Sequence, residues 1–275
     1  MAYKEVCYDM NHKKRGHCLI LNNMRFDEHT GLGERNGSQR DTNELQILFR
    51  KFGFMVSVYI DMTVRELKDL LRKYGQDIDH SDCDALVVIF MSHGEEDIFF
   101  GRDGAFKSDL LFDGFRASEC CSLAGKPKLF FIEANRGENI QEAVALPKLS
   151  NRMMVPAHPG IPARVQQLVK IDIKDEVPSE VTDNADFLKC WSTPNGCYSW
   201  RNTINGSWFV QSIINVFSQA TGKEDILQLL TMVNFYLNTN FESNTPAQPK
   251  LHGKKQSSFF ESTLTAKLYL APSTS

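Results

Sequence analysis

The feature that most constrains this chain is an unbroken apolar run, Ala85-Leu86-Val87-Val88-Ile89-Phe90-Met91. Seven consecutive apolar residues rich in β-branched and aromatic types suit a strand covered on both faces, as in the middle of a parallel sheet. A second run of this kind spans 129–132 (LFFI). Between and around them the pattern changes period. Residues 18–21 (CLIL) read as a strand, and Val56, Val58 and Ile60 alternate as another. Ser38 with Asp41 has the spacing of a capping box ahead of the stripe Leu45, Leu48, Phe49 and Phe52, with Gly53 as the stop. Thr63 with Glu66 repeats the signal before Leu67, Leu70, Leu71 and Tyr74, with Gly75 as the stop. In the second half, residues 187–191 (FLKCW) predict a strand. Two helical stripes follow, on Phe209, Val210, Ile213, Ile214 and Phe217 and then on Ile226, Leu229, Leu230, Val233 and Leu237. Residues 264–270 alternate as a final strand. Strands interleaved with helices predict an α/β fold with an open sheet flanked by helices, and no internal repeat is visible.

Bulk properties narrow the function. The chain has 275 residues, 42% hydrophobic and 24% charged, with a formal net charge of −3 and seven cysteines. The length allows one large domain or two smaller ones. A slightly acidic chain is not built for nucleic acid or for an anionic membrane surface. No apolar run approaches 18 residues and the first residues lack a signal-peptide core, so a soluble, cytoplasmic protein is expected. Cys7, Cys18, Cys83, Cys120, Cys121, Cys190 and Cys197 are odd in number, contain no C-x-x-C pair, and fall partly inside apolar runs. They suggest neither a disulfide framework nor a zinc site; adjacent Cys120-Cys121 without a partner pair is weak evidence for a metal. No cofactor and no metal is expected.

Periodicity fails between Glu138 and Asp183, where Pro147, Pro156, Pro159, Pro162 and Pro178 punctuate mixed charges. A connection of that length inside a domain is functional or disordered. It divides the chain into 1–137, a linker at 138–183, and 184–275.

The segment Leu129-Phe130-Phe131-Ile132-Glu133-Ala134-Asn135-Arg136-Gly137 carries the next clue, with Ser92-His93-Gly94 placed 42 residues before Asn135. These segments resemble the caspase family, in which an apolar strand runs into Gln-Ala-Cys-Arg-Gly and a histidine lies about 50 residues upstream. The resemblance extends along the chain: Tyr8-Asp9-Met10-Asn11, the loop 31–41 with Arg35, the segment 123–130, Asn184-Ala185-Asp186-Phe187-Leu188, Tyr198-Ser199-Trp200-Arg201-Asn202 and Gly206-Ser207-Trp208-Phe209. It implies a three-layer α/β sandwich around a mostly parallel sheet of about six strands. It also implies that 1–137 and 184–275 are the large and small portions of one domain. The short N-terminal region resembles executioner rather than initiator members.

The family's chemistry is cysteine attack on peptides after aspartate. At the cysteine this chain carries Asn135, whose amide nitrogen is delocalised into its carbonyl and has no thiolate form, so covalent catalysis cannot start. His93 and the oxyanion donors, the backbone N–H groups of Gly94 and Asn135, remain as relics. Removing the nucleophile from a comparable triad costs on the order of a millionfold in turnover. Ser92, Cys120 and Cys121 are poorly placed to substitute. By resemblance, Arg35, Arg201 and the residue at Glu133 line the pocket for the substrate aspartate, with Ser199, Trp200 and Trp208 around the peptide. The family has a neutral glutamine where Glu133 stands. Two like charges about 5 Å apart at an effective dielectric near 20 repel by roughly 3 kcal/mol, so aspartate affinity is expected to fall.

The resemblance implies pairing of two chains through residues 256–264. Phe259 and Phe260 offer apolar surface there, and Glu261 would approach its own copy in a symmetric dimer, which favours a heterodimer. Asp172, Asp175 and Asp183 are candidate processing points for an active relative. The sequence therefore predicts a non-catalytic homologue regulating apoptotic proteolysis, with an active caspase or its precursor as partner. The rivals are a competitor for caspase-inhibitor proteins or aspartate-ended substrates, and an active cysteine endopeptidase cleaving after aspartate.

Overall fold

A computed structural model of the chain describes residues 6–145 and 180–271. The elements in chain order are β1 (Lys14–Asn22), α1 (Ser38–Lys51), β2 (Met55–Ile60), α2 (Val64–Arg72), β3 (Cys83–Met91), a small antiparallel sheet of β4 (Gly94–Glu95), β5 (Ile98–Gly101) and β6 (Gly104–Lys107), and β7 (Lys128–Glu133). They continue with β8 (Gln141–Glu142), β9 (Phe187–Trp191), β10 (Arg201–Asn202), β11 (Gly206–Ser207), α3 (Trp208–Ser218), α4 (Ile226–Asn240), β12 (Lys254–Lys255) and β13 (Phe259–Ser262). The main sheet has six strands in the order β13-β9-β7-β3-β1-β2. Every neighbouring pair is parallel except β9 with β13.

The apolar runs sit where their composition requires. All nine residues of β3 and all six of β7 are buried. Side-chain alternation divides them between two cores. Val87, Ile89, Leu129 and Phe131 join Leu45, Leu48 and Phe49 of α1 and the buried faces of α3 and α4. Leu86, Val88, Phe90, Phe130 and Ile132 join Leu67, Leu70 and Leu71 of α2 together with Phe99, Phe106, Phe112 and Phe115. The result is the expected three-layer α/β sandwich. The one large unit runs through Glu142 and resumes at Val181; a second, 143–180, falls almost wholly outside the described residues. Gln141–Glu142, inside the stretch read as linker, pairs with Lys254–Lys255.

Three local expectations are corrected. Ser38 is not a cap: Gly37 holds that position at φ 90° with no side-chain bond, and Asp41 turns inward instead. Gly75 does not stop α2. The chain continues through a wider turn over Lys73–Asp77, and Gly75 is small because a Cβ there would stand 2.3 Å from the Gly114 carbonyl oxygen. The final strand is Phe259–Ser262, not 264–270. Leu268 and Leu270 are buried as their alternation suggests, but Lys267 and Tyr269 bridge to different segments, at Cys7 and Asp225, so no ladder forms. The Thr63–Glu66 capping box is present as read, and Asp225–Gln228 adds a second at α4.

Phe131 is 1% exposed, with ring centroids 5.8 Å from Phe49 and 6.0 Å from Phe217, so it joins β7 to α1 and α3. Phe131→Ala is expected to cost about 3–5 kcal/mol in urea unfolding, the range for truncating a well-packed core aromatic.

Candidate active site

The C-terminal ends of β3 and β7 are joined by Ser92 N–H donating to the Glu133 carbonyl at 3.1 Å. Parallel strand ends next to each other are where an α/β sheet presents side chains to a crevice. His93 and Asn135 both follow these ends and are half-buried. Gly94 packs so tightly that a Cβ would lie 2.6 Å from the Asn135 carbonyl oxygen, which requires glycine there. His93 Nε2 lies 2.7 Å from the Gly33 carbonyl oxygen and donates to it, because a carbonyl only accepts. Its Nδ1 therefore carries the lone pair. Burial pushes the His93 pKa down. The ring also lies 4.9 Å from Phe26.

The loop after β7 is held against the loop before β10. Arg136 N–H donates to Cys197 O, Gly196 N–H to Arg136 O, Asn139 N–H to Gly196 O and Tyr198 N–H to Asn139 O. Gly137, at φ 143°, stands where a Cβ would meet the Gly196 backbone at 2.4 Å. Arg136 lies over the Trp191 ring, 4.1 Å from its centroid.

This apposition brings Glu133, Asn135 and Ser199 together. Ser199 N–H donates to Asn135 Oδ1 at 2.9 Å, and Ser199 Oγ donates to Glu133 Oε1 at 3.0 Å. Trp200 N–H is taken by Gln256 Oε1 at 2.7 Å, and Gln256 Nε2 donates to Ser192 O. Two successive backbone donors of the loop thus have partners within the chain. A cysteine thiol is at best a weak acceptor, so the short bond to Ser199 N–H is one that asparagine makes and cysteine would not.

Arg35 is 1% exposed and Glu133 3%. Arg35 donates to Asn22 Oδ1 at 3.0 Å and Asn23 O at 3.1 Å, and burial lowers its pKa to about 10. Arg201, half-buried, donates through Nε to Asn36 O. Among the described residues, Arg35 Nε and Glu133 Oε2 are buried without hydrogen-bond partners. Burial raises the Glu133 pKa, opposed by Arg35, Arg201 and the Ser199 bond.

Trp208 is buried rather than open to a peptide. It stacks on Trp200 at 5.5 Å and on Phe241 at 5.5 Å, with Tyr198 edge-on to Trp200 at 5.1 Å. Phe259 is exposed, Phe260 packs partly on the core, and Glu261 pairs with Lys189 at 3.2 Å. That pair offsets the charge that the sequence suggests would oppose a symmetric dimer. Asp183 is exposed but held: its carboxylate accepts from Ser118 N–H and its carbonyl from Ala117 N–H. Asp172 and Asp175 lie outside the described residues.

Sequence reasoning missed Asp41. It is 1% exposed, and both carboxylate oxygens accept from Ser207 N–H, at 3.1 and 2.9 Å. Gly206, at φ 90°, fits over it because a Cβ would stand 2.0 Å from Asp41 Oδ1. Asp41 therefore supports the hairpin that carries Arg201. The signal was its position on the buried stripe of α1, one turn before Leu45.

The decisive comparison is with the family model described as the Caspase domain, which matches residues 15–269. The chain belongs to the caspase family. Caspase-7 of Gallus gallus is 38% identical over 262 residues, covering 95% of this chain and 79% of that protein. Caspase drICE of Drosophila melanogaster is 36% identical over 251 residues, covering 90% and 68%. The crystal structure of Caspase-1 from Spodoptera frugiperda superposes with a TM-score of 0.84 at 33% identity, covering 99% of this chain and 98% of that one. The caspase-like sandwich read from the sequence is the fold, and caspase homologues are cysteine proteases of an apoptosis-related family. Among the described residues no helix is long and apolar enough to cross a membrane.

Burial raises the pKa of Asp41 to about 8 and raises that of Glu133. A carboxyl with a raised folded pKa holds a proton that the unfolded chain has released, so stability falls as pH rises toward the folded value. Between pH 6 and 8 the unfolding free energy is expected to drop by up to about 1.4 kcal/mol per pH unit for each proton held. Asp41→Asn should flatten that slope in urea titrations.

Proposed function

We propose that this chain is a catalytically silent caspase homologue that regulates apoptotic proteolysis by pairing with an active caspase or its precursor. The observation that carries the reading is Asn135 in the crevice, with its side-chain carbonyl bonded to Ser199 N–H. An amide supplies no nucleophile, and this one is tied to a loop that a substrate peptide would have to engage. His93 keeps a lone pair at Nδ1, yet a base without a nucleophile to deprotonate has no part in acyl transfer.

Pairing is supported by the sheet's edge. Among the described residues β13 is hydrogen-bonded on one side only in the main sheet, and exposed Phe259 lies on it. A strand edge with an apolar side chain is a template for adding another strand. Because Lys189 meets Glu261 within the chain, charge does not forbid a homodimer, and the preference for a different partner rests on function rather than repulsion. The competitor reading has less support. Arg35 and Glu133 are enclosed and Ser199 is bonded to both substituted positions, so an aspartate would first have to open the pocket. The enzyme reading requires a nucleophile that Asn135 does not supply.

Mixing the purified chain with an active caspase from the same cell tests this, with light scattering for assembly and an aspartate-reporter peptide for rate. The chain alone should give no turnover, and the mixture should form a complex whose rate differs from that of the active caspase alone. Turnover by the chain alone, or no complex and no change in rate, would defeat the proposal.

A further inference from the structure

At the opposite end of the strands from His93 and Asn135, three side chains from distant parts of the sequence converge. His17 lies on β1, His80 in the turn before β3, and Cys83 is the first residue of β3. Their metal-ligating atoms all lie within 4.8 Å of one another. This cluster has no part in the crevice chemistry.

His80 is fully buried, and its Nε2 lies 2.7 Å from the Tyr74 carbonyl oxygen. The carbonyl fixes the proton on Nε2 and leaves the lone pair on Nδ1. That Nδ1 is buried and has no hydrogen-bond partner among the described residues. Such an orphan in a packed interior calls for an explanation. An imidazole that donates one N–H to a backbone carbonyl and keeps the other nitrogen bare has the arrangement of a metal ligand whose orientation is already set. His17 stands edge-on to it, ring centroids 5.6 Å apart, and edge-on to Tyr74 at 5.2 Å. His17 is half-buried, so one side of the cluster reaches water.

We propose that His17, His80 and Cys83 bind a borderline-soft divalent metal, zinc by the chemistry of the donors, with a water completing a tetrahedron. Two imidazoles and a thiolate are a zinc ligand set, with bonds of about 2.0–2.1 Å to nitrogen and about 2.3 Å to sulfur. Tetrahedral ligands at those lengths stand roughly 3.5 Å apart, so closing the cluster takes about 1 Å, within reach of rotating the half-exposed His17 ring. Burial lowers the pKa of both imidazoles and raises that of the Cys83 thiol. Uptake of the ion then forms one metal–sulfur bond and releases one proton from Cys83 to solvent. Lys14 and Lys126 are the cations that act on the cluster, and Asp79 and Asp84 offset them. The Lys126 ammonium is turned to the His80 and Ser81 carbonyls. A bound ion would join β1, the start of β3 and the turn after α2, a structural role remote from the pocket.

Cobalt and zinc titrations of the full chain test the site, with exposed Cys7 and Cys121 changed to serine in every protein to remove competing thiols. One cobalt per chain should give a thiolate-to-cobalt charge-transfer band in the near ultraviolet, and zinc should displace it. Cys83→Ser should abolish the band. His17→Gln, at a half-exposed position that leaves the circular dichroism unchanged, should weaken zinc binding by at least about 100-fold, the upper end of what outer-shell changes cost. Absence of stoichiometric uptake, a band that persists in Cys83→Ser, or unaltered zinc affinity in His17→Gln would overturn the assignment.

Discussion

The crevice depends on the register of β7 between β3 and β9. Val88 lies opposite Phe130 and Met91 opposite Glu133 on one side, while Ile132 lies opposite Trp191 on the other. With both faces of β7 buried, a slip of one residue would turn its large side chains into the wrong core, so the packing fixes the register. Everything beyond the strand follows from that. Asn135 must emerge beside Gly94, and residues 136–139 must run along 196–198. Glycines at 94 and 137 let backbones meet where a Cβ would not fit, and Gly196 takes a positive φ of 75°.

Within this frame, Glu133 and Asn135 act together. Glu133 and Asn135 lie two apart at the end of β7, and Ser199 bonds to both. Asn135 Oδ1 takes the Ser199 N–H, while the Glu133 carboxyl lies in the field of Arg35 and Arg201. Asp41 supports the same loop from below through Ser207.

The fold was legible because its strongest signals are local. Residues 85–91 and 129–132 could be buried on both faces only in a parallel sheet, and the stripes of α1, α3 and α4 carry a helical period. The errors arose where a residue answers to something distant. Asp41 has capping-box spacing, but Ser207, far along the chain, uses its carboxylate. Gly75 looks like a helix stop and is instead the place where the Gly114 backbone passes. Residues 264–270 alternate correctly, yet their bonds go to two separate segments. Glu261 reads as an unpaired charge until Lys189 is seen on the neighbouring strand. Around the crevice, His93, Asn135, Arg35, Glu133 and Arg201 were singled out by resemblance. The closure was not: nothing in the spacing of Asn135 and Gln256 announces that they take the N–H groups of Ser199 and Trp200. The His17, His80 and Cys83 cluster was missed for a related reason: His80 and Cys83 make only a lone H-x-x-C pair, and His17 joins them through the pairing of β1 with β3.

The most direct measurement is active-site labelling with a peptidyl-aspartyl chloromethyl ketone, read by peptide-mapping mass spectrometry on this chain and on its Glu133→Gln/Asn135→Cys variant. The proposal of a silent crevice predicts no adduct on residues 92–94 or 133–137 of the unaltered chain, and an adduct on position 135 of the variant. An adduct in either segment of the unaltered chain would contradict it.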